Sequence, residues 1–577
     1  MFMGLFIIGV IFYLIYEKKL FVIIPQTTFH WLGYTVSSEQ SLYVTITIIG
    51  VFCYLLGTRR VLKWPLFLCS ISLVIIELCL YILLRYSIRI LESIFIRPPV
   101  LNNAETYEEW YEYACETDKL YGREMWKASS ESKYYNDVLT EKLTNELKHS
   151  RESGDIERSM KLLQTCINKS MNGILNEHLY SKSLVGTKYV IEEYIEEIIA
   201  KLETIDIVNV NYSSGEVLSK EIVLQTLKAI KSHYGATALC LSGGAGIGHY
   251  HWGVVKALLS SGYLPKIISG TSSGAVVAAV VCTRSDEELF STLEPEILLS
   301  RFNCFDVSWI DRIKSYIKHR AMFDRDTWLE KLQWFAGADG PGKIGSTFKE
   351  AYEKTGRILN ITATNARKHS PPLCLNYLST PNVTIASAVL ASAAVPGLLH
   401  PVHLIEKLID KQGQITYRAL HDERLQFRDG SFENDIPLNT LSEVFGCSYF
   451  LVSQTNPHII PFFFNARFIL AALELLLKED MKKYLRVLAM LDLLPAVLNQ
   501  DWSFLFLQEF QGQITMVPNA RLIDYFRLIS DIKDVNVIAH CLQEGKLTAW
   551  RKFSMIKNRE KIRLTLEDCI QKLENKI

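Results

Sequence analysis

The stretch from Ala238 to Arg284, ALCLSGGAGIGHYHWGVVKALLSSGYLPKIISGTSSGAVVAAVVCTR, constrains the fold most. It reads as strand, glycine loop, helix, strand, sharp turn, helix, and such alternation implies an α/β domain around a mostly parallel sheet. The second turn, Gly270 to Gly274, is Gly-Thr-Ser-Ser-Gly, a G-x-S-x-G elbow with Ser272 at its centre. An apolar run ends in that turn and another, Ala275 to Val281, leaves it, which is the strand-turn-helix context an elbow requires. Side chains at Gly270 and Gly274 would clash with backbone in so tight a turn. Ser272 lies at a helix N-terminus, where the dipole favours developing negative charge.

The first turn, Ser242 to Gly248, bares several backbone N–H groups at once. It could hold a dinucleotide pyrophosphate or the oxyanion of a tetrahedral acyl intermediate. Its spacing is G-G-x-G-x-G rather than a strict G-x-G-x-x-G, and no acidic residue closes a second strand about twenty residues on. The serine elbow one strand-helix unit later favours the oxyanion reading, with Gly243, Gly244, Ala245 and Gly246 as its donors. An acyl-transfer serine needs a base. Phe427 to Pro437, FRDGSFENDIP, offers Asp429 before a glycine at the end of a short alternating run. His249 and His251 follow the glycine loop closely, but they begin a helix and are expected to pack or cap.

GGAGIG, GTSSG and DGSFENDIP together resemble the patatin-like phospholipases. In that family the elbow serine and the aspartate of a D-G-G/A motif form the catalytic pair, so the resemblance implies Ser272 as nucleophile and Asp429 as base. Ser431 stands here where glycine or alanine is common. The segments YEEWYEYACETDKLYG, LYSKSLVGTKYVIEEYIEEI, GRILNITAT, LASAAVPGLLHPV and VSQTNPHIIPF are similar to the branch of fungal lipid-droplet and plant oil-body triacylglycerol lipases. The resemblance implies a three-layer α/β/α catalytic domain and hydrolysis of neutral lipid or phospholipid without a cofactor. It further implies attachment to a membrane or lipid-droplet surface, at the droplet or the endoplasmic reticulum, with the catalytic domain facing the cytosol. Phospholipase A or lysophospholipid acyltransferase activity would use the same pair, and a non-enzymatic lipid-droplet scaffold is the reading from another class.

Net charge is zero and no basic tail or Lys/Arg patch with interleaved aromatics occurs, so nothing points to nucleic acid. Twelve cysteines carry no C-x-x-C or Cys/His ligand spacing, which favours reduced thiols over disulfides or a metal site. The chain is 49% hydrophobic, and the excess lies in three runs, Phe2 to Tyr16, Ser41 to Gly57 and Pro65 to Leu84. Only the last reaches the roughly 20 residues of a membrane span. No signal peptide is expected, because the first run lacks a basic start and a cleavage site. Positive residues in every interval leave orientation unread, a pattern that suits interfacial helices as well as spans.

Tyr107, Trp110, Tyr111, Ala114 and Cys115 follow helical spacing, as do Ile191, Tyr194, Ile195, Ile198 and Ile199. His319 and Asp324 stand at an acyltransferase-like H-x4-D spacing, which chance supplies easily among thirteen histidines. A buried strand is expected at Ser448 to Ser453, and the apolar segments Ile459 to Phe464 and Tyr484 to Phe510 are core or a docking surface. The expected organisation is a membrane-associating region over 1–95, a helical region over 96–235, the acyl-hydrolase domain over 236–446 and a C-terminal helical extension over 447–577.

Overall fold

The computed structural model describes residues 104–153, 156–207, 220–340, 342–366, 373–420, 425–460 and 508–575, with a short hairpin at 28–37 and isolated positions between 69 and 87 and at 479 and 483. The first two apolar runs, most of the third, and most of 459–510 lie outside the described residues. Ile459, Ile460 and Phe510 are buried. No helix among the described residues is long and apolar enough to cross a membrane. The chain divides into one unit of Met1–Ile76 with Val487–Pro495 and another of Glu77–Arg486 with Ala496–Ile577. The second contains everything that follows.

Its centre is a seven-stranded sheet. The strands are β1 (Ala236–Leu241), β2 (Ile267–Gly270), β3 (Ile358–Asn365), β4 (Leu373–Leu375), β5 (Phe427–Asp429), β6 (Cys447–Ser453) and β7 (Ile514–Met516). Their order is β7-β6-β1-β2-β3-β4, with β5 also paired to β3. The five strands from β7 to β3 run parallel, whereas β4 and β5 pair antiparallel with β3. Both faces are covered, so these strands read as continuous apolar runs rather than alternations. Leu239, Leu241, Ile268, Leu359, Ile361 and Leu451 enter the larger core on one face. Ala238, Cys240, Ile267, Phe450 and Val452 meet Ile436 and Leu441 on the other, beside the helix Leu438–Phe445. The result is the α/β/α arrangement the sequence implied, and strand β6 begins just after residue 446.

Helix α1 (Tyr189–Ile207) buries Ile191, Tyr194, Ile195 and Ile198, the face that its spacing indicates. It packs on α5 (Phe553–Glu574), near the chain's end. Two helices follow the turns of the motif-bearing stretch: α2 (Tyr250–Ser260) after the glycine loop and α3 (Ser273–Thr283) after the elbow. Against α2 lies α4 (Val535–Trp550). Gly253 and Gly545 meet at that contact, where a Cβ on Gly253 would come 2.0 Å from Leu542 O and 2.8 Å from Gly545 Cα.

Candidate active site

Strand β2 ends at Gly270, and Ser272 begins α3 with φ 53° and ψ −120°, a positive φ that a non-glycine residue adopts only where its surroundings enforce it. The enforcement is visible. A Cβ on Gly274 would sit 2.2 Å from Leu241 O, and one on Gly270 2.4 Å from Gly274 O, so both positions admit only glycine. The Ser272 N–H donates to Ser392 Oγ at 2.9 Å, and Thr271 Oγ1 donates to Asp435 O at 2.7 Å. The turn is therefore pinned from two directions, and its side chain faces a cavity.

Sheet register brings Asp429 to the same level. Gly270 pairs with Ile361 across β2 and β3, and Ala363, two residues on, pairs with Asp429. Ser272 also stands two residues beyond Gly270, so the serine and the carboxylate meet at one edge of the sheet. Asp429 is buried. Burial pushes its carboxyl up to about 6, opposed by hydrogen bonds from the Ser431 N–H and hydroxyl and from the Ser272 side chain. The Ser431 N–H reaches Asp429 Oδ1 at 2.7 Å.

The glycine loop is divided in its use. Gly243 N–H donates to Asp435 Oδ1 at 2.9 Å, and Gly246 N–H donates to Leu528 O at 2.8 Å. Neither is free to meet a ligand. Gly244 and Ala245 N–H donate to no described residue, and Ala245 holds φ 48°. Thr455 packs so closely that a Cβ on Gly244 would lie 2.4 Å from its Oγ1. Asp435 fixes this arrangement. Its second oxygen accepts from Asn456 Nδ2 at 2.7 Å and its own N–H donates to Gln508 Oε1 at 2.7 Å. Burial pushes the Asp435 carboxyl up to about 7 against those bonds.

His251, His249 and His403 have packing or hydrogen-bond partners of their own. His251 is buried between Ser453 Oγ at 2.7 Å and Ser242 O at 3.0 Å, and burial lowers it to about 4. His249 stacks edge-on with Phe302 and is likewise lowered to about 4 by burial. His403 bonds Leu425 O at 3.0 Å. Asp324, of the H-x4-D pair, accepts from Thr327 N–H at 2.9 Å and caps the helix Arg325–Leu332. Ser272, Ala245 and His249 open on a cavity of about 120 Å³ walled by Phe302, Phe305 and Trp328. Among the described residues no cluster of His, Cys, Asp or Glu could hold a metal ion.

An elbow serine on an aromatic cavity, a buried aspartate level with it in the sheet and two unused loop amides thus occur together. Residues 239–441 match the patatin-like phospholipase family. The chain is 35% identical over 538 residues to triacylglycerol lipase ptl2 of Schizosaccharomyces pombe, covering 89% of this chain and 81% of that protein. The chain belongs to the patatin-like phospholipase family. A patatin-like phospholipase domain-containing protein of Cryptococcus neoformans is 37% identical over 541 residues, covering 89% of this chain. This patatin-like chain spans 55% of that relative's length. A similarly described protein of Coccidioides immitis is 37% identical over 548 residues, with 72% of its length covered. Residues 99–232 of the patatin-like chain, most of its helical N-terminal part, match a domain of unknown function, DUF3336.

Two site residues escape a sequence reading of patatin-like motifs. Asp435 stands in full view within DGSFENDIP, but only the folded register turns its carboxylate onto Gly243. Ser392, which holds the Ser272 N–H, sits in the small-residue helix Ile385–Ser392 and looks like any other close-packing residue there.

Proposed function

We propose that this chain hydrolyses long-chain acyl esters of lipid, with triacylglycerol as principal substrate, through Ser272 and Asp429. Asp429 takes the Ser272 hydroxyl proton as Oγ attacks the acyl carbonyl. The alcohol leaves with that proton and an acyl-enzyme remains. Water, deprotonated by the same carboxylate, then releases the fatty acid. Gly244 and Ala245 N–H are the oxyanion donors, narrowed from the four-residue loop because Gly243 and Gly246 N–H are engaged within the protein.

The observation that carries this reading is the sheet register that sets the elbow serine level with Asp429, a buried carboxylate raised to about 6 by desolvation. A desolvated carboxylate holds a proton more firmly than an exposed one, as a base for serine must. The similarity to a triacylglycerol lipase supports the substrate, and the family description supports phospholipid as the alternative. Fatty-acid release from emulsified triacylglycerol, phosphatidylcholine and lysophospholipid, with Ser272→Ala as control, tests the proposal. Release that persists in a folded Ser272→Ala protein refutes the site, and release from phosphatidylcholine alone reassigns the substrate.

A further inference from the structure

The helix Trp309–His319 is built inside out. Its buried residue is Arg312, 3% exposed, while Trp309 is 53%, Ile310 67%, Ile313 54% and Ile317 72% exposed. At 100° per residue these four share one arc of the helix, so the apolar stripe faces solvent. The inner face is polar: Arg312 donates to Val307 O at 2.9 Å, to Ile529 O at 2.8 Å and to Phe305 O. A second short helix, Leu522–Phe526, also turns its apolar residues outward, with Leu522 66% and Phe526 83% exposed.

The first helix is tied to the segment that follows the second, and that segment reaches the cavity. Arg312 bonds one to Ile529, and Phe305 N–H donates to Asp531 Oδ1 at 3.0 Å. Phe305, Ile529 and Asp531 line the cavity that Ser272 enters. The segments that carry the exposed apolar residues therefore adjoin the wall of the cavity that holds Ser272. Lys318, Arg320 and Arg527 are exposed around them and form no ion pair among the described residues.

We propose that this face, Trp309, Ile310, Ile313 and Ile317 with Leu522 and Phe526, seats the protein on an anionic phospholipid surface so that the cavity opens toward lipid. The inference rests on the lipid-hydrolase reading above. Apolar residues enter the boundary between headgroup and acyl chain while Lys318, Arg320 and Arg527 reach phosphates, the division found in interfacial helices. A chain of zero net charge has no general attraction to anionic lipid, so the attraction is local to this face. A second copy is a poor occupant, because two-fold pairing sets the same three cations near their own counterparts.

Trp309 reports the docking in the full-length protein. The fluorescence difference between wild type and Trp309→Phe isolates its emission from the other nine tryptophans of the ten in the chain. That difference should shift to the blue and be quenched by brominated acyl chains on phosphatidylcholine vesicles containing phosphatidylserine. If protein sediments with the vesicles and the Trp309 signal is unchanged, the proposal is overturned, and attachment lies elsewhere in the chain. In parallel, Ile313→Glu with Ile317→Glu should slow hydrolysis of emulsified triacylglycerol on the order of tenfold and spare a soluble short-chain ester. Equal wild-type rates on both substrates would also refute it, as would a wild-type dimer that this double substitution disperses without altering the Trp309 signal. A wild type inactive on every ester removes the hydrolase reading, while Trp309 still decides whether the face meets lipid.

Discussion

At the scale of single residues, the pair Ser272 and Asp429 yields the sharpest expectations. Ser272→Ala and Asp429→Asn should each lower ester hydrolysis by several orders of magnitude, since one catalytic unit loses most of its rate whichever member is removed. His249→Ala and His251→Ala, judged by initial rates in folded protein, should retain measurable turnover. The pH profile follows from the carboxyl raised to about 6. The base must be ionised, so kcat/KM should fall about tenfold per unit below pH 6 and hold level above it, without a histidine limb. Stability runs the opposite way. A carboxyl whose folded pKa is raised above its unfolded value stabilises fully when protonated, and that contribution is lost as pH rises through the folded pKa. With Asp429 raised to about 6 and Asp435 to about 7 from 3.8, melting temperature should drop between about pH 4 and pH 7, and less steeply in Asp429→Asn. Ser272, Gly270 and Gly274 were legible because a strained turn leaves no chemical alternative to glycine around the serine. The fate of the loop amides was not, because backbone N–H groups carry no sequence signal and their partners, Asp435 and Leu528, come from distant segments.

Among elements, α2 meets α4 at close range where Gly253 faces Gly545. Gly253→Ala would push a methyl group to within 2.0 Å of Leu542 O, so the two helices must part. Overpacking of this kind costs about 1–3 kcal/mol, and a lower melting temperature should accompany some loss of activity because α2 carries the glycine loop. An unchanged melting temperature would mean that α4 shifts freely. On the loop itself, Gly244→Val should cost on the order of 10²-fold in kcat or more, since Thr455 leaves no room and the donor amide must move. The strands and helices around both turns could be read from apolar runs and spacing, and the strand expected at Ser448 to Ser453 is β6. The hairpin Ile405–Ile409 with Ile415–Ala419 went unread because its residues are largely exposed and its pairing is local, leaving no buried face to pattern the sequence. The helix Trp309–His319 has a plain helical period, yet periodicity alone says nothing of which face turns outward. Buried Arg312 decides that, through the carbonyls of Phe305 and Val307 nearby and that of Ile529, 217 residues away.

For the whole molecule, the two ends of the chain should tolerate loss very differently. The sheet, the glycine loop and the serine elbow belong to the unit that begins at Glu77, and the first described residue packed in its core is Ala104. Removal of residues 1–95 should therefore leave hydrolysis of a soluble short-chain ester largely intact, and it should weaken membrane partitioning without abolishing it, because the Trp309 face remains. The other end has no such freedom. Strand β6 lies between β1 and β7, so cutting after residue 446 would strip the partner from one whole edge of β1 and open the sheet beside the glycine loop. The same cut removes Thr455 and Asn456, which flank the loop, and α4 and α5, whose Trp550 and Phe553 face Trp110 and Tyr107 of the N-terminal helices. Buried Arg559 of α5 also donates to Tyr234 O and Gly235 O, at the point where the chain enters β1. A protein ending at residue 446 should fail to give a cooperative melting transition and show no esterase activity, even though it retains Ser272, Asp429 and the whole of the family match. Circular dichroism on heating, with the soluble ester as the activity probe, checks both truncations. A folded, active 1–446 fragment would show that the sheet is closed without β6, and loss of the cooperative transition on removing 1–95 would show that the apolar N-terminal runs are core.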